Sequence, residues 1–191
     1  MTKTIHKDLS IGEFAAIIFA HLESEGINAV LTGGAVVSIY TENKYESGDA
    51  DFISPSEQKE IIESMSHLGF SQIAPNDRHL KHPDCNFLVE FPDRTLLLGG
   101  EYQRQVSETE IAGTIIKLLS PTQSVMDRLV RYIAWKDIQG LDQAQWICEK
   151  HPITLERIYS WSKNEGASKD QIDTIKARLE KASALRLNSE S

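Results

Sequence analysis

Leu31-Thr32-Gly33-Gly34, followed after fourteen residues by Asp49-Ala50-Asp51-Phe52-Ile53, is the stretch on which the reading of this chain turns. Ile27-Asn28-Ala29-Val30-Leu31 reads as a short buried strand, and the paired glycines end it ahead of an almost wholly apolar helix over about 35–41. A strand that closes on Gly-Gly before a helix lets the backbone approach a ligand and aims N–H groups at an anion. Asp49 and Asp51 fall two apart in the next strand, so they share one face, about 6.7 Å apart along the backbone. Two carboxylates so placed can bracket a divalent cation. Farther on, Phe87-Leu88-Val89-Glu90-Phe91 alternates, which puts Glu90 on a face with Leu88 and away from Phe87, Val89 and Phe91. A lone acid among such residues needs a reason. Lying beside the two aspartates supplies one.

Around this stretch the chain reads as mixed α/β to residue 119 and all-helical after it. Ser10 and Glu13 form a capping box for a first helix that carries Ile11, Phe14, Ala15, Ile18, Phe19 and Leu22 and stops at Gly26. Ser54-Pro55-Ser56-Glu57 reads as a second box, for a helix to about His67. Strands are expected at 70–74, 87–91 and 95–98, with weaker signals at 102–106 and 114–119 and a long polar loop over 75–86. Ser120 and Gln123 open a helix to about Asp137, with Gly140 behind it as a stop. Three more helices are expected at 141–150, 153–165 and 169–184, the last with its own box at Ser168 and Gln171. The expected fold is α/β (α+β), a mixed sheet with flanking helices (residues 1–119) followed by a C-terminal helical domain (120–191).

Composition narrows the function classes. The 191 residues are 40% hydrophobic and 25% charged with a net charge of −8, ordinary for a globular chain. Residues 1–118 hold 18 acids against 9 bases, which argues against general DNA binding. No apolar run spans a bilayer, so no membrane partner is expected, and the basic start Met1–Lys7 lacks the apolar stretch of a secretory signal. Cys85 and Cys148 lack framework spacing and read as reduced thiols of a cytoplasmic protein. A dinucleotide site is excluded by the missing G-x-G-x-x-G.

Gly-Gly, an Asp-x-Asp strand and a later third acid together resemble the nucleotidyltransferase superfamily with the DNA-polymerase-β-like fold. Within it the chain is similar to small bacterial minimal nucleotidyltransferases and abortive-infection-type nucleotidyltransferases. His82-Pro83-Asp84 through Val89-Glu90-Phe91-Pro92 resembles their third-carboxylate strand, and Ser120-Pro121-Thr122 through Trp135-Lys136-Asp137 the helix after it. The likeness covers about residues 10–165. It implies that Gly33 and Gly34 hold the phosphates of a nucleoside triphosphate substrate, and that Asp49, Asp51 and Glu90 are the catalytic and metal-binding acids for Mg²⁺ or Mn²⁺. The implied reaction moves a nucleoside monophosphate to an acceptor hydroxyl or phosphate on a small molecule, a tRNA or other RNA end, or a protein, in a toxin–antitoxin or phage-defence setting. The rival reading is a catalytically degenerate member that serves as a nucleotide-binding or protein-interaction module. Arg78, within a basic cluster with His79, Lys81 and His82, and Arg128 and Arg131 on the first helix after residue 119 are the candidate phosphate contacts. His79, His82 and Cys85 have no evident fourth partner for a zinc site. Trp135, Trp146 and Trp161 are expected in the helical core.

Overall fold

The computed structural model describes residues 4–75 and 77–189; Met1–Lys3 of the basic start, Asn76 of the polar loop, and residues 190 and 191 lie outside the described residues. The first helix, α1 (Ile11–Ser24), starts where Ser10 accepts from the Glu13 amide and the Glu13 carboxylate accepts from the Ser10 amide, which satisfies two free donors of the first turn. Strand β1 (Val30–Thr32) runs into α2 (Gly33–Tyr40), and β2 (Asp49–Ile53) follows. Next come α3 (Gln58–His67), β3 (Ser71–Gln72), β4 (His79–Lys81), β5 (Leu88–Glu90), the short hairpin β6 (Leu97–Leu98) and β7 (Glu101–Tyr102), β8 (Ser107–Ile111) and β9 (Thr114–Leu118). Four helices close the chain: α4 (Pro121–Trp135), α5 (Ile138–Lys150), α6 (Leu155–Asn164) and α7 (Lys169–Ser189).

Seven strands form one mixed sheet in the order β3-β4-β5-β2-β1-β9-β8, with β2–β5 and β1–β9 parallel and the other pairs antiparallel. Alternation along β2 decides which face is which. Ala50 and Phe52 are fully buried and stand in register with Val89 and Leu31, on the face packed against Phe14, Ile18 and Leu22 of α1 and Val36 of α2. Burying side chains of this size stabilises by about 1.5–3 kcal/mol each. A one-residue slip would turn Asp49 and Asp51 into that core, so hydrophobic packing holds the acids on the opposite face.

The opposite face is walled by the 92–106 segment and the start of α4. The hairpin turns at Gly99, whose φ of +59° suits glycine, and an added Cβ there would meet the Glu165 carboxylate at 2.0 Å. Glu165 accepts from the Gly100 amide (2.9 Å), the Trp161 indole donates to the Leu98 carbonyl (3.1 Å), and Gln123 donates to Gln103 and the Gln105 carbonyl. Thus the C-terminal helices fix one wall of the cleft.

Several local expectations are corrected. The third helix begins at Gln58, with Glu57 as its cap, because Arg94 donates twice to the Pro55 carbonyl and pairs with Glu57, which holds residues 54–57 as a separate turn. The polar 75–86 loop contains β4, and β8 precedes the last strand. Gly140 is no stop: it sits inside α5, where a Cβ would lie 2.6 Å from the Arg128 carbonyl, so it permits close approach of α4 and α5. Of the three tryptophans only Trp161 is buried; Trp135 is 73% exposed, and Trp146 lies half-buried under the Lys44 ammonium.

Candidate active site

The turn from β1 into α2 positions the site. Gly33 adopts φ +68°, and a Cβ there would fall 2.0 Å from Asp51 Oδ2. The Asp51 carboxylate therefore lies directly against the Gly33 backbone, and only glycine admits it. Gly34 is also constrained, by Ser47: a Cβ would come within 2.6 Å of the Ser47 hydroxyl. That buried hydroxyl donates to Asp49 Oδ1 (3.0 Å).

Register brings the third acid alongside. Thr32 pairs with Asp51, Asp51 with Glu90, and Glu90 with His79 across β1, β2, β5 and β4. Residues in register share a sheet face, so these four side chains form a row. Glu90 is held by Arg78 Nε (3.2 Å) and His79 Nε2 (3.4 Å), and His79 Nδ1 meets Asp77 Oδ1 (2.9 Å). The hydrogen bond to Asp77 raises the His79 pKa, with Glu90 adding to it. Asp77 is lowered by its hydrogen bonds from the His79 amide and ring.

A cavity of about 370 Å³ opens over the row, lined by Gly33, Asp51, Arg78, Glu90, Asp127 and Arg128, with Leu96–Leu98 of the hairpin wall opposite. The Arg128 side chain is only 12% exposed and its Nε donates to Asp127 Oδ2 (3.0 Å). Burial works most strongly against the Arg128 charge, but the charge and hydrogen bond of Asp127, with Asp51 and Tyr45 adding to them, together outweigh it, so its pKa is raised. Asp51 is pushed up to about 7, first by burial, then by the like charges of Asp49 and Glu90, against a smaller pull from Arg128. Negative charge at this point is undercompensated.

The chain resembles known proteins in three dimensions rather than in sequence. No family model and no curated protein matches it. Solved structures do match. An antigenic nucleotidyltransferase-like protein from Paracoccidioides brasiliensis superposes with a TM-score of 0.59, covering 96% of this chain and 93% of its own at 14% identity. ANT(2")-Ia in complex with adenylyl-2"-tobramycin gives 0.56, covering 81% and 95% at 15% identity. A solution structure of the antibiotic-resistance factor ANT(2'')-Ia gives 0.52, covering 95% and 98% at 15% identity. The chain has the nucleotidyltransferase fold. At this identity the likeness is one of fold.

On that fold the expected site residues divide. Gly33, Asp51, Glu90, Arg78 and Arg128 meet at one cavity. Asp49 is on the same sheet face and raises the Asp51 pKa, but its carboxylate is turned to Ser47. Gly34 is buried beneath Ser47 rather than lining the cavity. Arg131 is not brought to the site: it is exposed and bound to Asp137 Oδ2 (2.7 Å), because the cap of the next helix captures it. Among the described residues no three His, Cys, Asp or Glu side chains are drawn together as a metal-holding group. The three acids thus share a face without converging: Asp49 is turned to Ser47, Glu90 is held by Arg78 and His79, and the Asp51 carboxylate lies against Gly33. His82 packs at a tilt against the Phe70 ring, and no zinc grouping forms among the described residues. Asp127, Ser47 and Asp77 were not expected at the site. Asp127 was visible only as the residue beside Arg128, and Asp77 and Ser47 carried no motif.

Proposed function

We propose that the chain is a metal-dependent nucleotidyltransferase that moves a nucleoside monophosphate from a triphosphate to an acceptor hydroxyl or phosphate. The observation that carries this reading is the juxtaposition, in one cleft, of the Gly33 turn at the start of α2 with Asp51, Glu90 and the buried Arg128. The solved structures of the same fold support it: one of them, ANT(2")-Ia, is bound to adenylyl-2"-tobramycin.

The residues fit a divalent cation by donor chemistry. Asp49 and Asp51 offer hard oxygen donors from one strand face, and the raised Asp51 pKa is the mark of negative charge that a cation would offset. Asp49 and Asp51, with Glu90, would hold Mg²⁺ or Mn²⁺ once Asp49 turns from Ser47 and Glu90 leaves Arg78 and His79; the ion would polarise the α-phosphate and stabilise the attacking and leaving oxygens. The chain's own residues do the rest. The backbone at the Gly33 turn and the fixed charge of Arg128 receive phosphate oxygens. Arg78, at the mouth, adds a second cation. Glu90, released from Arg78 and His79, would take the proton of the acceptor hydroxyl as it bonds to the α-phosphorus and pyrophosphate departs. Leu96–Leu98, held by Trp161 and Glu165, form the apolar wall, which gives residues 120–191 a role in shaping the site.

The test is a screen of the four α-labelled nucleoside triphosphates with Mg²⁺ or Mn²⁺ against cell lysate. Labelled acceptor is the expected product. No labelled product with any of the four contradicts the reading. The capture of both Glu90 oxygens by Arg78 and His79 favours the second reading, a nucleotide-binding module, which gives binding of triphosphate without transfer.

A further inference from the structure

We propose that a second cavity, adjoining the cleft on the same sheet face, is an anion subsite that holds a phosphate of the acceptor, so that the acceptor is a phosphate-bearing molecule; calling its occupant the acceptor rests on the transferase reading above. This cavity of about 450 Å³ lies between Asn28–Val30, Ile53, Pro55, the 94–106 segment and Lys117. Ile53, Thr95 and Leu96 line both cavities, so a molecule seated in one reaches the other across a single shared ridge.

Its charge is the reverse of its neighbour's. The cleft is lined by Asp51, Glu90, Asp93 and Asp127. The second cavity is lined by Arg94, Arg104 and Lys117, and by no Asp or Glu among the described residues. Those are three of only nine Lys and Arg in residues 1–118, where acids outnumber bases two to one. Arg94 is committed to the Pro55 carbonyl and Glu57. The side chains of Arg104 and Lys117 make no hydrogen bond or ion pair with any described residue; Glu108 stands opposite Lys117 in the β8–β9 register and does not close on it. Two uncompensated cations facing a cavity, in a chain of net charge −8, constitute a local field that draws an anion.

The segment that carries them is fixed in place. Gln103 is buried, its amide donates to the Leu96 carbonyl (3.0 Å), and its side-chain oxygen accepts from Arg157 (2.8 Å) and Gln123 (3.1 Å). Tyr102 and Arg104 flank that anchor, so the Tyr102 ring, 57% exposed, and the Arg104 guanidinium are presented together. An aromatic face beside cations accommodates a base next to a phosphate. The shared chemistry is phosphate. Its source is either a single-stranded RNA end or a phosphorylated small molecule.

The test reads binding without nucleotide or turnover. A fluorescein-labelled single-stranded RNA 12-mer is titrated by anisotropy, and glucose 6-phosphate and glucose are tested separately by calorimetry and as competitors. Arg104→Ala/Lys117→Ala is expected to bind at least tenfold more weakly than wild type, with circular dichroism and melting temperature preserved. It should also flatten the slope of log K against log[salt] by about 1.4, the loss of two single-strand phosphate contacts. The exposed Lys163→Ala, on α6, should change nothing. RNA binding that glucose 6-phosphate leaves untouched assigns a nucleic-acid end; glucose 6-phosphate binding without glucose binding assigns a small phosphorylated acceptor. Either supports the subsite. Wild type that binds neither probe, or a double variant that binds both as wild type does, overturns it. A double variant that loses triphosphate but neither probe also overturns it. If the probes bind through Arg104 and Lys117 while no triphosphate yields transfer, the subsite stands and the transferase reading falls.

Discussion

Replacing Asp51 with Asn keeps the shape of the side chain against Gly33 and removes the charge that the cleft tolerates least. The folded protein holds the Asp51 proton up to about pH 7, whereas an unperturbed carboxyl releases it near 3.8. Between those values the folded state binds more protons than the unfolded chain, so the wild type loses stability as the pH rises through the window. The loss is complete above about pH 7. A shift of this size corresponds to an upper bound of roughly 4 kcal/mol, net of the opposing pull of Arg128. Water entering the cleft and side-chain relaxation reduce what is realised to on the order of 1 kcal/mol, or about 2–4 °C in melting temperature for a chain of this size. Asn does not titrate. The Asp51→Asn variant should therefore melt close to wild type at pH 4 and above it at pH 8, in the presence of EDTA. Mn²⁺ should raise the melting temperature of wild type and leave the variant nearly unmoved, because the rise comes from binding to the native state. A variant that melts below wild type at pH 8, with a difference independent of pH and the full metal shift retained, would make Asp51 a structural residue and not a charge that the cleft leaves uncompensated.

Gly33→Ala places a methyl against Asp51 Oδ2 at a positive φ, so a loss of at least about 1 kcal/mol in urea unfolding is expected, together with weakened triphosphate binding. Arg128→Ala leaves Asp127 and Asp51 without their buried cation; a cost of about 2 kcal/mol and a further rise in the Asp51 pKa, followed by NMR titration, are expected. Arg131→Ala, in contrast, removes an exposed pair and should cost under about 1 kcal/mol with triphosphate affinity unchanged. Trp161→Phe strips the Leu98 carbonyl of its donor at a cost of about 1–3 kcal/mol, and hydrogen exchange should quicken across the 97–102 hairpin more than in β2.

Where local chemistry and tertiary packing agreed, the chain was readable. The Ser10 and Ser120 boxes set two helix starts because each satisfies its own backbone donors without help from elsewhere. The alternation of Asp49, Ala50, Asp51 and Phe52 placed the acids on one face because burial of Ala50 and Phe52 leaves no other choice. Distant partners defeated the rest. Ser54-Pro55-Ser56-Glu57 has the form of a cap, but Arg94, nearly forty residues on, takes the Pro55 carbonyl. β4 carries a single buried residue, Leu80, too little for a period to show, yet it delivers His79, with Arg78 just before it, to Glu90. Arg128 and Arg131 look alike in sequence and are separated by one ion pair: Asp127 keeps the first in the cleft, and Asp137 draws the second out of it.

The fate of the phosphate label separates transfer of a nucleoside monophosphate from transfer of a terminal phosphate. Each nucleoside triphosphate is supplied with Mn²⁺ in two forms, labelled on the α- or the γ-phosphate, to wild type and to Asp51→Asn with the same lysate acceptors. Wild type should transfer the α-label to an acceptor and send the γ-label into pyrophosphate, and Asp51→Asn should do neither. Acceptor labelling from the γ-phosphate, or α-label transfer undiminished in Asp51→Asn, would contradict the transferase reading.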